Sequence, residues 1–173
     1  MAARAFDATV LPHLDAAFNF ARWLTKNDAE AEDVVQDACV RALRYFSSLR
    51  NDDARAWFFA IVRNTWYTRV ARRSAPPETG WLDDARREPL DDRPDPELQL
   101  LRQHTIARVR AAIEHLPIDF REVLVLREFE GLSYREIATV VRVPIGTVMS
   151  RLARARERLQ SELKPVELLE TMP

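Results

Sequence analysis

The chain has 173 residues, 31% of them charged, with only three glycines and a formal net charge of −1. That length holds one medium domain or two small ones, and a glycine-poor sequence with little period-2 alternation favours an all-α protein. The lone cysteine, Cys39, excludes an internal disulfide, no apolar run reaches membrane-spanning length, and residues 1–15 lack the basic start and apolar core of a secretion signal. A cytoplasmic protein without membrane insertion is expected. The near-zero total conceals an uneven distribution: acids gather at 28–37 and 78–97, bases at 63–73 and 151–158.

Helical periodicity runs from Phe6 to Arg73. Within it, "AEAEDVVQDACVRALRYF" (29–46) is amphipathic. Ala31, Val34, Val35, Ala38, Ala42 and Phe46 share the face expected to be buried, and Asp33, Gln36, Asp37, Val40 and Arg44 line the other. Val40 is an aliphatic side chain among polar neighbours. Isolated exposed apolar residues are ordinary, but an apolar contact ringed by acids also suits docking on a basic partner.

The next segment, "RNDDARAWFFAIVRNTWYTRVARR" (50–73), places Phe58, Ile61, Val62 and Thr65 toward a core. Phe59, Arg63, Trp66, Tyr67 and Val70 fall on the other side. Aromatics interleaved with arginine suit single-stranded nucleic acid, where rings stack on bases and cations hold phosphates. Each aromatic taken alone also fits simple packing against a neighbouring helix. Asp52 and Asp53 read as a solvated turn or a helix cap.

Residues 74–97 contain Pro76, Pro77, Pro89, Pro94 and Pro96 with an excess of carboxylates, which reads as a flexible, extended linker. Periodicity resumes at Leu98 with Leu101, Val109, Ala112, Ile113 and Leu116. The expected organisation is therefore two small helical domains, 1–73 and 98–164, joined by the acidic, Pro-rich linker 74–97, with a short tail at 165–173.

In the second half, Pro117 opens a helix through Phe120, Val123, Leu124 and Val125, and Gly131 closes it. Ser133 followed by Glu136 is a capping box for a short helix that buries Ile137, Ala138, Val140 and Val141. Pro144 then forces a turn and starts a last helix. Val148, Leu152, Ala155 and Leu159 share one face of it, and Gly146, Ser150, Ala153, Arg154 and Glu157 the opposite one. Arg151 and Arg158 lie on one flank, Arg156 on the other. Small residues beside arginines allow close approach to a major groove, where Arg takes guanine or phosphate. A solvated surface helix is the plainer alternative. Capping box, proline turn and basic exit occurring together favour a helix-turn-helix.

Nothing in the chain favours an enzyme or calls for a cofactor. His13, His104 and His115 are scattered and form no metal cluster with Cys39. There is no glycine-rich phosphate loop and no nucleophile elbow.

Three blocks together, "DAEAEDVVQDACVRAL", "RAWFFAIVRNTWYTRVARR" and "LPIDFREVLVLREFEGLSYREIATVVRVPIGTVMSRLARARERL", follow the order and spacing of a known family. The chain resembles bacterial RNA polymerase sigma factors of the extracytoplasmic-function (ECF) subfamily, which keep a sigma-2 and a sigma-4 domain. The resemblance implies a subunit that binds core RNA polymerase and directs promoter recognition, melting and transcription initiation. Asp33, Gln36, Asp37 and Val40 would dock on the clamp helices of the β′ subunit, with further contact to the β subunit. Ser47, Ser48, Leu49, Arg50, Asn51, Asp52 and Asp53 resemble the loop that captures a base flipped from the minus-ten element. Asn64 matches a position holding the melted strand, and Arg63, Trp66 and Tyr67 lie beside it. Arg127, Met149, Ser150, Arg151, Ala153 and Arg154 would bind the minus-thirty-five element.

The sequence departs from the family where Met149 replaces a common basic residue, where Ala153 is small, and where Arg142 occupies a turn position often held by glycine. An anti-sigma factor is a further partner that the resemblance implies. The alternative is a stand-alone dimeric helix-turn-helix regulator, which would bind palindromic duplex without polymerase and have little use for a base-capturing surface.

Overall fold

The structure, a computed structural model, describes residues 2–49, 53–73 and 96–164. Arg50, Asn51, Asp52, most of the expected linker and the tail 165–173 lie outside the described residues. Every regular element among those described is helical. The first half holds α1 (Ala2–Val10), α2 (Leu14–Thr25), α3 (Asp28–Tyr45) and α4 (Ala54–Arg73), with short 3-10 turns at Leu11–His13 and Phe46–Ser48. The second holds α5 (Pro96–His115), α6 (Ile118–Glu128), α7 (Tyr134–Val141) and α8 (Ile145–Leu163).

Local chemistry sets the boundaries. Lys26 ends α2 in the left-handed region, and the Asn27 side chain accepts from the Glu30 amide at 2.9 Å to start α3. Asp53 caps α4 by accepting from the Ala56 amide at 3.0 Å, as the cap reading of that residue anticipates. α5 begins at Pro96, where a missing N–H leaves no unmet helical bond. Gly131 takes φ +66° after α6, a conformation that disfavours side chains with a Cβ.

Ala31, Val34, Ala38 and Ala42 of α3 are buried; this mostly alanine stripe lets α2 and α4 pack closely. Phe59 departs from expectation. It does not join Arg63 on an outer face but is buried edge-to-face on Phe20, ring centroids 5.4 Å apart. The reason is that α4 is covered twice, by α2 and α3 on one side and by α7 on another, so its buried sector is wider than one amphipathic stripe.

Leu101 belongs to the apolar repeat that resumes after the linker. It is exposed, as is every residue from 100 to 108, because α5 is buried only at its C-terminal end, at Ala112 and Ile113. The two halves nevertheless share one contiguous apolar cluster running from Phe20 and Phe59 to Val123, Ile137 and Leu152.

Candidate nucleic-acid interface

The acidic face of α3 forms as the sequence implies. Asp33, Gln36, Asp37 and Val40 are all exposed, Val40 by 53%. Arg69 of α4 pairs with Asp37 at 2.6 Å and lies 3.5 Å from Asp33. Leu43 and Tyr45 are also exposed, so Val40 is one of several exposed apolar side chains near the end of α3.

Beyond it lies the start of the loop expected to capture a base. Ser47 and Ser48 are exposed and Leu49 is half-buried; the Ser48 hydroxyl donates to the Tyr45 carbonyl at 2.6 Å. Asp53, at the far end, is exposed and committed to its cap.

On α4, Arg63, Asn64, Trp66 and Tyr67 are half-buried. The Tyr67 ring meets Trp66 edge-on at 4.7 Å and carries the Arg63 guanidinium 4.5 Å from its centroid. Arg63 and Tyr67 reach the second half of the chain. Arg63 donates through Nε to Glu122 Oε2 at 2.7 Å and through Nη2 to Oε1 at 2.9 Å, and the Tyr67 hydroxyl donates to Oε2 at 3.3 Å. Glu122 is fully buried on α6. Burial raises its carboxyl above the ordinary range, and the Arg63 hydrogen bonds oppose that rise. Burial, followed by the charge of Glu122, pushes the Tyr67 phenol up to about 12.

The helix-turn-helix forms at α7 and α8. Ser133 accepts from the Glu136 amide at 3.2 Å, and Glu136 accepts from the Ser133 amide at 2.6 Å, completing the capping box. Arg142 ends α7 at φ 56°, ψ 47°, so the residue standing in place of glycine does adopt the left-handed backbone. Pro144 caps α8. Val148, Leu152 and Ala155 are buried, while Ile145, Gly146, Met149, Ser150, Ala153 and Arg154 are exposed.

The arginines around this face differ in availability. No carboxylate pairs with Arg154 among the described residues, whereas Arg156 pairs with Glu128 at 2.5 Å. Arg151 leans back toward Asp119 at 3.6 Å and Glu122 at 3.8 Å. Arg127 donates to the Leu132 carbonyl at 2.8 Å and lies over the Tyr134 ring, so it braces the turn between α6 and α7.

Sequence reasoning missed Glu122, Arg55 and Arg121, which tie the halves together. Arg55 on α4 bonds the Glu130 carbonyl and lies 3.3 Å from its carboxylate. Arg121 donates to the Trp23 carbonyl of α2 at 3.1 Å. One signal was present: Glu122 precedes Val125 and Leu126 by three and four positions, which puts an acid on a buried helical face.

Residues 9–75 match Sigma-70 region 2, and residues 106–159 match Sigma-70, region 4. The chain is 39% identical to the RNA polymerase sigma-H factor of Pseudomonas aeruginosa, over 94% of this chain and 88% of that protein. It is 35% identical to the ECF RNA polymerase sigma-E factor of Escherichia coli K12, over 79% and 75% of the two. The chain belongs to the ECF sigma factors. Among solved structures, the sigma factor RpoE in complex with the anti-sigma factor NepR, from Bartonella quintana, superposes with a TM-score of 0.71 at 29% identity, covering 93% of this chain and 98% of that one. CnrH in complex with the cytosolic domain of CnrY gives 0.63 at 28% identity, covering 91% and 86%.

This sigma factor is accordingly a promoter-recognising subunit that works with core RNA polymerase. The presence of both regions in one chain disfavours the stand-alone dimeric regulator. No helix among the described residues is long and apolar enough to cross a membrane.

Proposed function

We propose that this sigma factor divides promoter opening among three surfaces, with domains at 1–73 and 98–164, a linker at 74–97 and a tail at 165–173. Asp33, Gln36, Asp37 and Val40 dock on the β′ clamp helices, the second domain engages the β subunit, and the linker joins the two inside the enzyme. Residues 47–53 capture a base from the minus-ten element, and Arg63, Asn64, Trp66 and Tyr67 hold the melted strand by stacking and phosphate contact. Arg127, Met149, Ser150, Arg151, Ala153 and Arg154 serve the minus-thirty-five element, with Arg127 acting by positioning the turn. The work is binding rather than chemistry, and it takes place in the cytoplasm. The similar sigma factor RpoE is solved in complex with the anti-sigma factor NepR, which supports an anti-sigma partner here as well.

The observation that carries this reading is the split of α8. Its inner face is buried, while Met149, Ser150, Ala153 and Arg154 form an exposed, mostly small-residue strip with a cation at its end. The test is transcription in vitro from the protein's own upstream region, with purified core polymerase and with or without this chain. A discrete transcript that depends on the protein supports the reading. No transcript, together with tight salt-sensitive binding to duplex by the chain alone, overturns it.

A further inference from the structure

We propose that Arg69 is a positioning residue for docking on polymerase: from α4 it holds Asp33 and Asp37 of α3 together as one paired-carboxylate contact. The proposal rests on the assignment of those two acids to the β′ clamp helices.

Asp33 and Asp37 are four positions apart, so their carboxylates stand one helical turn apart on the same face and repel each other. Arg69 sits between them. Its Nη1 donates to Asp37 Oδ2 at 2.6 Å, and its Nη2 lies 3.5 Å from Asp33 Oδ2. The two-armed guanidinium can address both acids at once, which the compact ammonium of a lysine does less well. Both aspartate side chains are more than half exposed and the arginine only a quarter, so the pair meets solvent through its carboxylates.

The acids set the orientation of the fork. The Arg69 Nε is buried and finds no hydrogen-bond partner among the described residues, while both terminal nitrogens turn to α3. An ion pair this open contributes little to stability, so its use lies in geometry. Two unrestrained aspartates would each lose rotamer freedom on docking, and a pair already held in place loses less. Two carboxylates and one guanidinium also leave a single net negative charge, which suits one cationic side chain of the partner. One turn further along α4, Arg73 bonds Glu30 of α3 at 2.5 Å. Glu30 is less exposed than either aspartate and lies outside the docking set, so this second pair is the internal control.

The experiment measures equilibrium binding of the full chain to purified core polymerase without DNA. Charge alone predicts that removing a cation from an acidic face strengthens binding to a basic partner. Positioning predicts the reverse. Arg69→Met keeps the aliphatic stem, removes every donor, and is expected to weaken core binding roughly fivefold. Arg73→Met makes the same change of charge one turn away and is expected to leave affinity unchanged or slightly raised. Asp37→Ala tests the underlying assignment. The loss in the double variant Arg69→Met, Asp37→Ala is expected to fall well below the product of the single losses, because Arg69 acts through the acid. A purely structural role would instead lower the melting temperature and give losses that multiply. Should Arg69→Met lose its helical circular dichroism, Arg69→Lys takes its place, since it keeps the charge without the fork and is expected to weaken binding in the same direction. Wild-type or tighter binding by the Arg69 variant, an equal loss in Arg73→Met, or losses that multiply overturns the proposal. Wild-type binding by Asp37→Ala overturns the docking assignment itself, and the positioning role falls with it.

Discussion

Arg69 on α4 donates to the carboxylate of Asp37 on α3 across 2.6 Å, so the acidic face proposed to dock on polymerase is held in place by a cation from the neighbouring helix. Both carboxylates it approaches stay more than half exposed, which keeps them available to a basic partner. Exposed pairs of this kind contribute little to stability. Val40, at the centre of the face, is expected to supply the apolar contact. Val40→Glu should weaken binding to core polymerase at least tenfold in a surface-immobilised assay, with the melting temperature of the free chain nearly unchanged. Wild-type affinity would return Val40 to the ordinary exposed aliphatics.

Arg142 bears a side chain at φ 56° where glycine would be unstrained. A left-handed conformation costs a residue with a Cβ on the order of 1 kcal/mol, and no described element requires the Arg142 side chain, which is exposed. Arg142→Gly should therefore raise the stability of the chain by about that amount, less the flexibility glycine adds to the unfolded state. Urea unfolding followed by circular dichroism checks it. A lower midpoint would mean that the arginine makes a contact worth more than the strain.

The capping box permits a prediction of the opposite sign. Ser133→Ala removes the acceptor for the Glu136 amide while leaving α7 otherwise intact. It is expected to destabilise the chain by about 1 kcal/mol, since the short α7 has few other devices to fix its start. The same unfolding measurement applies, and a midpoint equal to wild type would show that water replaces the hydroxyl at no loss.

What the sequence made legible follows from local rules. Ser133 and Glu136, Pro144, and the α8 face of Val148, Leu152 and Ala155 all obey spacing constraints that act within a few residues. Phe59 was misplaced because periodicity assumes one buried side, whereas α4 is enclosed from two directions. Leu101 continues the apolar repeat yet is exposed, because a repeat does not say whether a neighbour extends far enough to cover it. Glu122 illustrates the deeper limit. Its position on a buried face could be read, but its partners, Arg63 and Tyr67, stand 59 and 55 residues away and are brought close only by the docking of the two halves.

Arg154 is exposed on the outward face of α8, and no carboxylate pairs with it among the described residues, which distinguishes it from Arg151 and Arg156. Arg154→Ala should reduce binding to the minus-thirty-five duplex by about tenfold, the scale of one lost base-directed or phosphate contact, while polymerase affinity is retained. The two titrations together decide it: equal loss in both would sink the division of labour between the domains.

Met149 and Ile145 stand one helical turn apart at the start of α8, exposed by 52% and 42%. Neither can bond a phosphate or a base edge, yet both can pack on the C5-methyl group of thymine in the major groove. Gly146 between them has nothing within 4 Å of a would-be Cβ, so the helix surface there is low enough to admit a base edge. Replacing thymine by deoxyuridine across the minus-thirty-five element removes only those methyl groups. Each methyl that packs well should contribute about 0.8 kcal/mol, so wild-type affinity should fall roughly fourfold per contacted methyl. The double variant Ile145→Ala, Met149→Ala should bind the two duplexes alike. If wild type itself ignores the substitution, the apolar pair faces the groove without reading it, and discrimination at this element rests with Arg154 and Ser150.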